Sequence, residues 1–220
     1  MARNFDSSNN DFLDAGNPSA LNLTGDKVTV SAWIRLESTS VEGKIIAKWS
    51  DSGGDFQYLL STDSGDKCQF AIFDGGTKIA LGTTILVVGV WFHLVGTYDG
   101  SNLRIYCDGV EEASTLATGN MSSTTAPVRI GAGSGGSGTE GPFDGDIGHC
   151  AIWDRALSSN EIASLSNGTN PLQLNRDNLI SYWPLNGRSP EPDVVGGLDM
   201  TLTGSIKAEE PPIPNSIVAP

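Results

Sequence analysis

The chain has 220 residues, 13 basic and 26 acidic, a formal net charge of −13. Only 18% of residues are charged while 38% are hydrophobic, which excludes an intrinsically disordered chain. The acidic balance excludes binding to a phosphate backbone, which draws its affinity from Lys and Arg. No apolar run approaches the roughly 18 residues of a membrane span, so no membrane insertion is expected. The N-terminus, Met1 to Gly16, has no apolar core of the kind a secretory signal peptide needs.

From the N-terminus onward, period-two alternation dominates. Val28, Val30, Ala32, Ile34 and Leu36 share one face of a strand, and Thr29, Ser31, Trp33, Arg35 and Glu37 share the other. Further strands are predicted over 44–49, 56–62, 68–73, 78–83, 91–98, 103–107, 128–131 and 147–153. Between them stand Ser52-Gly53-Gly54, Ser64-Gly65-Asp66, Asp74-Gly75-Gly76, Asp99-Gly100 and Asp108-Gly109. Asp-Gly and Gly-Gly pairs supply the positive φ that tight hairpins require. Glycine, 27 of 220 residues, is about 12% against a usual 7%, and hairpin punctuation accounts for the excess.

One helix is predicted. Ser158-Ser159-Asn160-Glu161 forms a capping box, Ile162, Ala163 and Leu165 follow, and Gly168 stops it. It is short and alone, and is expected to lid a sheet edge. Two more strands follow at 179–183 and 200–203. The last twelve residues, 209–220, hold four prolines and read as an extended tail. Pro211, Pro212, Pro214 and Ile217 are its expected assembly contacts, held by a neighbouring subunit. The pattern as a whole is an all-β, two-sheet antiparallel jelly-roll sandwich with one short helix.

Several motifs in this order resemble one family. Val28-Thr29-Val30-Ser31-Ala32-Trp33-Ile34 is similar to the FTVSAWV strand of laminin-G-like, concanavalin A-like jelly rolls. The run from Trp91 through Gly100 resembles the family's WHHVAGTYDG strand and turn. Leu103 to Val110 resembles its LYVDGV hairpin. Phe143-Asp144-Gly145-Asp146-Ile147 through Ser158 resembles the strand leading into its short helix. The resemblance covers about residues 4–205, so the jelly roll is placed at 1–206 and the tail at 207–220.

For this family the function ranges over glycan binding, protein binding and assembly. A glycanase of the fold carries Glu-x-Asp-x-x-Glu on one strand, which is absent from this sequence. Glu111-Glu112 and Glu209-Glu210 are adjacent, so a strand turns each pair to opposite faces. Glu140, Asp144 and Asp146 come nearer, but Gly and Pro interrupt them. His93 sits in a family strand, and His149 and Cys150 alternate to opposite faces, so no nucleophile–base dyad arises from adjacency. The chain is therefore expected to be non-catalytic. Gly131-Ala132-Gly133-Ser134-Gly135-Gly136 mimics a dinucleotide fingerprint but lacks the helix that would hold a pyrophosphate.

Glycan recognition needs aromatic platforms with polar edges. Trp49, Asp55 and Tyr58 are the first candidates, with Trp33 and Arg35 second. Members of the family often hold a calcium, and Asp144 with Asp146, on one tight Gly turn, is the candidate pair. Cys68, Cys107 and Cys150 each stand in an apolar alternation and read as core thiols, with one disulfide between two of them left open. The expected function is non-catalytic surface recognition or structure, with carbohydrate-binding capacity, in a virion (phage) surface or decoration protein. A chain beginning at Met1 without an export signal and with cytosol-compatible thiols favours that form. The alternative is a secreted or cell-surface lectin-like module, and a glycan-cleaving enzyme is the least favoured. The expected partners are glycans on a cell surface, or a protein assembly as a homo-oligomer or docked on a larger particle.

Overall fold

The computed structural model describes residues 2–40, 42–51, 54–135, 138–204 and 207–209. The tail positions Pro211, Pro212, Pro214 and Ile217 lie outside the described residues, as do Ser52, Gly53 and Gly136 of two turns. In chain order the strands are β1 (Ala2–Phe5), β2 (Phe12–Asp14), β3 (Val28–Leu36), β4 (Lys44–Ser50), β5 (Asp55–Thr62) and β6 (Lys67–Phe73). Then come β7 (Thr77–Ile85), β8 (Trp91–Tyr98), β9 (Asn102–Cys107), β10 (Val110–Leu116), β11 (Val128–Ile130), β12 (Gly133–Gly135) and β13 (Gly138–Glu140). The chain continues through β14 (Gly145–Trp153), helix α1 (Ser159–Ser166), β15 (Leu179–Trp183), β16 (Thr201–Thr203) and β17 (Lys207–Glu209).

These strands build two sheets. The first runs β10-β9-β8-β3-β14-β1-β17, with β15 also pairing β14. The second runs β16-β2-β11-β4-β5-β6-β7, with the β12–β13 hairpin attached to β4. Among the described residues every strand pairing is antiparallel except the bridge of Ser134 to Ser50. This is the jelly-roll sandwich that the alternation predicts. Its core is the set of inward faces: Val28, Val30, Ala32 and Ile34 of β3 meet Ile46, Tyr58, Phe70 and Ile72 of the opposite sheet.

The helix forms where the capping box predicts. Ser158 Oγ accepts from the Glu161 amide, and Glu161 Oε2 accepts from the Ser158 amide at 2.8 Å. Its position differs from the expectation. Rather than closing a sheet edge, α1 lies on the outer face of the first sheet. There Ile162 and Leu165 pack on Val95, Tyr106, Ala151 and Trp153. An isolated helix of eight residues is marginal in water, and this apolar face gives it a place to bury one side.

Candidate functional site

The sandwich has two outer faces, and they are built differently. On the second sheet, alternation turns Ala47 and Trp49 of β4, Leu59 of β5 and Ala71 of β6 outward into one small apolar cluster. Phe56 packs on it, half-buried. Its ring stacks on Trp49 with centroids 4.3 Å apart and planes 28° apart, and Phe73 meets Phe56 edge-on at 5.6 Å. Trp49 itself is only 6% exposed, so the accessible aromatic surface belongs to the half-buried Phe56 and Phe73.

Charge lines the edge of this aromatic floor. Trp49 Nε1 donates to Asp51 Oδ1 at 2.8 Å, and Lys44 Nζ donates to Asp51 Oδ2 at 2.9 Å. The Asp51 amide donates to Glu140 Oε2 at 2.9 Å, and Lys44 Nζ lies 3.6 Å from that same oxygen. Partial burial raises the Asp51 pKa, but the hydrogen bonds from Lys44 and Trp49 outweigh it and hold the carboxyl below its ordinary range. The β12–β13 hairpin delivers Glu140 to this network. An apolar ring plane flanked by fixed carboxylates and an ammonium suits a ligand with one apolar face and a rim of hydroxyls.

The outer face of the first sheet is covered by α1 and the segment behind it. Beneath them is a cavity of about 10 Å³, room for one water, lined by Ser31, Trp33, His93, His149, Thr169 and Asn170 among others. Ser31 Oγ and His93 Nδ1 are buried and have no hydrogen-bond partner. Trp33 and His93 rings lie 5.1 Å apart, and His149 Nδ1 is 2.6 Å from the Tyr182 hydroxyl. Burial pushes both histidines down to about 3, so both are neutral at physiological pH. His149 reaches this cavity from a bulge between Gly148 and Ala151 and adopts φ +51° there.

The five residues expected to bind a ligand do not come together. Tyr58 is a core residue: its ring is fully buried between the sheets and its hydroxyl donates to the Leu21 carbonyl at 3.1 Å. It is removed from the platform. Asp55 is spent on structure. Its carboxylate accepts from Thr124 Oγ1 and from the Thr125 amide and hydroxyl, pinning the loop that carries them. Trp33 and Arg35 stand on the outward side of β3, on the other face of the sandwich from Trp49. Arg35 pairs with buried Asp146 at 2.6 Å and its guanidinium sits 5.4 Å from the Trp91 ring centre. Trp49 alone of the five stands at the aromatic floor. Phe56 and Lys44 were not singled out from sequence, whereas Glu140 was weighed there with Asp144 and Asp146.

The expected calcium pair is divided between protein partners. Asp146 is fully buried and bound by Arg35 and Asn4 Nδ2, while Asp144 Oδ1 accepts from the Ser7 amide. Each carboxylate is committed to a different partner. Among the described residues no three His, Cys, Asp or Glu side chains cluster as a metal site. Glu112 is likewise occupied, since Thr83 and Thr84 donate to it from both amides and hydroxyls. The three cysteines are buried free thiols. Among the described residues no helix is long and apolar enough to cross a membrane.

Comparison with known proteins agrees with this architecture. Pappalysin-1 of Mus musculus is 26% identical over 219 residues, an alignment that spans 88% of this chain but only 13% of pappalysin-1. Among solved structures, a candidate carbohydrate-binding protein from Bacteroides ovatus ATCC 8483 superposes with a TM-score of 0.73 at 21% identity, covering 97% of this chain and 61% of that one. The heptameric SAP-like pentraxin of Limulus polyphemus superposes with a TM-score of 0.62 at 14% identity, covering 94% of this chain and 93% of that one. At these identities the structures share the fold. The family model of the concanavalin A-like lectin/glucanases superfamily, in its Laminin_G_3 form, matches residues 7–163. With more than half its length in that match, and the jelly roll to accompany it, the chain belongs to the concanavalin A-like lectin/glucanases superfamily.

Proposed function

We propose that this chain is a non-catalytic, lectin-like module that binds glycans on the outer face of its second sheet. One observation carries the reading: the Trp49–Phe56 stack, edged by Lys44, Asp51 and Glu140, on a face that no helix among the described residues covers. Sugar rings bind by stacking an apolar face on an aromatic plane while side-chain charges accept and donate to the hydroxyls at the rim. The Bacteroides ovatus neighbour, itself described by carbohydrate binding, is in keeping with this. The carboxylates Asp146, Asp144 and Glu112 are tied to Arg35, Ser7 and the β7 threonines, which favours recognition over cleavage. An extracellular working place follows from a surface glycan as ligand.

The assembly form of the reading, a phage-particle decoration protein or another docked oligomer, has one observation in its favour. Ile79, Leu81 and Ile85 of β7 and Val110 and Leu116 of β10 are exposed where the edge strands of the two sheets meet, Thr115 Oγ1 donating to the Ile79 carbonyl. Light scattering separates the two forms, a monomer favouring the lectin module and a defined oligomer the assembly.

The glycan reading is tested on a glycan array. The wild-type chain should give a limited set of positive glycans. Phe56→Ala should lose them, and Leu116→Ser, at the far edge, should keep them. Equal binding by wild type and Phe56→Ala would remove the site from this face.

A further inference from the structure

The core of the sandwich holds a feature that ligand binding does not use. Cys68 on β6 follows the inward alternation of Phe70 and Ile72, and Cys107 on β9 follows that of Leu103 and Ile105. β6 belongs to one sheet and β9 to the other, so the two thiols approach from opposite layers. Both are buried in one core cluster where β6 packs against β9, close enough for each thiol to sense the other. Space for the Cys68 sulfur is kept by Gly82 on neighbouring β7, where a Cβ would lie 2.7 Å from Sγ. Cys150 is also buried in the core but sits on β14.

We propose that Cys68 and Cys107 are the two halves of an inter-sheet disulfide, formed when the chain folds in the presence of a small disulfide oxidant. The chemistry is thiol–disulfide exchange. One cysteine thiolate attacks a sulfur of the oxidant RSSR, forming a mixed disulfide and releasing RS⁻. The second thiolate then attacks the protein-side sulfur and releases the other RS⁻. Two electrons pass from the protein to the oxidant, and the two thiol protons end on the released thiols, giving Cys68–S–S–Cys107 and two RSH.

The fold also sets when this happens. In the folded chain Cys68 is fully buried and Cys107 nearly so, which keeps a dissolved oxidant from either sulfur, and the neighbouring Cys68 thiol and burial push the Cys107 thiol well above its ordinary range. In the unfolded chain both thiols are open to the oxidant. The bond therefore forms during folding, and a chain that folds reduced stays reduced. The core is then the same thiol pair in two covalent states, selected by the redox environment at the time of folding.

The test refolds the full chain from denaturant with oxidised and reduced glutathione, and separately adds the same mixture to chain already folded in reductant. Samples are denatured, alkylated and mapped as peptides without reduction. The refolded chain should contain one disulfide joining Cys68 and Cys107, with Cys150 alkylated, while the prefolded chain should be alkylated at all three. The oxidised product should melt about 5–10 °C above the reduced one, as expected for a cross-link closing a segment of this length. Alkylation of both Cys68 and Cys107 after oxidative refolding, a bond to Cys150, or an oxidised form that melts below the reduced one would each overturn the proposal.

Discussion

The two outer faces of the sandwich start from the same material and end as opposite surfaces. Each presents a Trp from an alternating strand, Trp153 on the first sheet and Trp49 on the second. On the first, α1 closes over Trp153, so an aromatic, two histidines and a serine are taken out of water together. On the second, no helix arrives among the described residues. The aromatic cluster stays open along one side, and at its rim buried Lys44 is satisfied by the more exposed Asp51 and Glu140. A lid converts an aromatic strand face into core, and the absence of a lid leaves it as a binding surface. Burial, not residue type, separates the two roles.

The largest expected effect tests the covered face. Trp153 is fully buried beneath α1 against Val95, Tyr106, Ile162 and Leu165. Trp153→Ala should cost about 3–5 kcal/mol of stability, the range for deleting a buried aromatic. Urea unfolding followed by the remaining tryptophans reads it. A loss near 1 kcal/mol would mean that the helix does not seal this face and that the contrast fails.

The next effect is a pH dependence confined to the covered face. Burial holds His93 and His149 near 3, below the ordinary value of 6.5. As pH falls through 6.5 the unfolded chain takes up protons that the folded chain refuses. Stability is therefore complete above 6.5 and declines from there down to about 3. At pH 5.5 each histidine removes roughly 1.4 kcal/mol. The carboxylates held low, Glu112 and Glu161 at about 2, act in the same direction only below about 4.5, so the histidine range is separable. Urea midpoints at pH 7, 6 and 5.5 should fall steadily, and His93→Gln should flatten the slope. A level profile between 6.5 and 5 breaks the comparison, because it would place these rings in water.

The same contrast explains what was legible beforehand. Strand faces were readable because period-two alternation and Gly turns are local: β3, β8 and β14 stand where the pattern places them. The helix was readable from its capping box, but its seat was not, since that depends on Val95 and Tyr106, distant in sequence. β10 was missed because Val-Glu-Glu-Ala-Ser-Thr-Leu does not alternate. A register shift between Glu111 and Ala113 lets this edge strand pair anyway. Tyr58 was misplaced for a related reason. Simple alternation puts Phe56 and Tyr58 on one face, but the register shift opposite Lys48 and Trp49 makes Gln57 an extra residue. Phe56 then turns outward to Trp49 while Tyr58 turns into the core. A bulge leaves no compositional trace, so the aromatic that completes the floor could not be found from the sequence.

The smallest expected effect asks whether the two faces are independent. Ser158 and Glu161 exchange hydrogen bonds at the start of α1, and Arg155 pairs with Glu161 at 2.6 Å. Ser158→Ala removes the side-chain half of the cap at a cost of about 1 kcal/mol. The helix then frays at its first turn, over residues whose burial is carried by Ile162 and Leu165. Amide exchange should quicken over 159–166 and along the lip of the histidine cavity, while β4 and β5 keep their protection. Glycan binding on the second sheet should be unchanged within error, because no hydrogen bond or ion pair described links α1 to Lys44, Trp49 or Phe56. A parallel loss of binding would show that the lid and the open floor are one cooperative unit. The separation of roles drawn from burial would then have to be replaced by a coupling through the core between them.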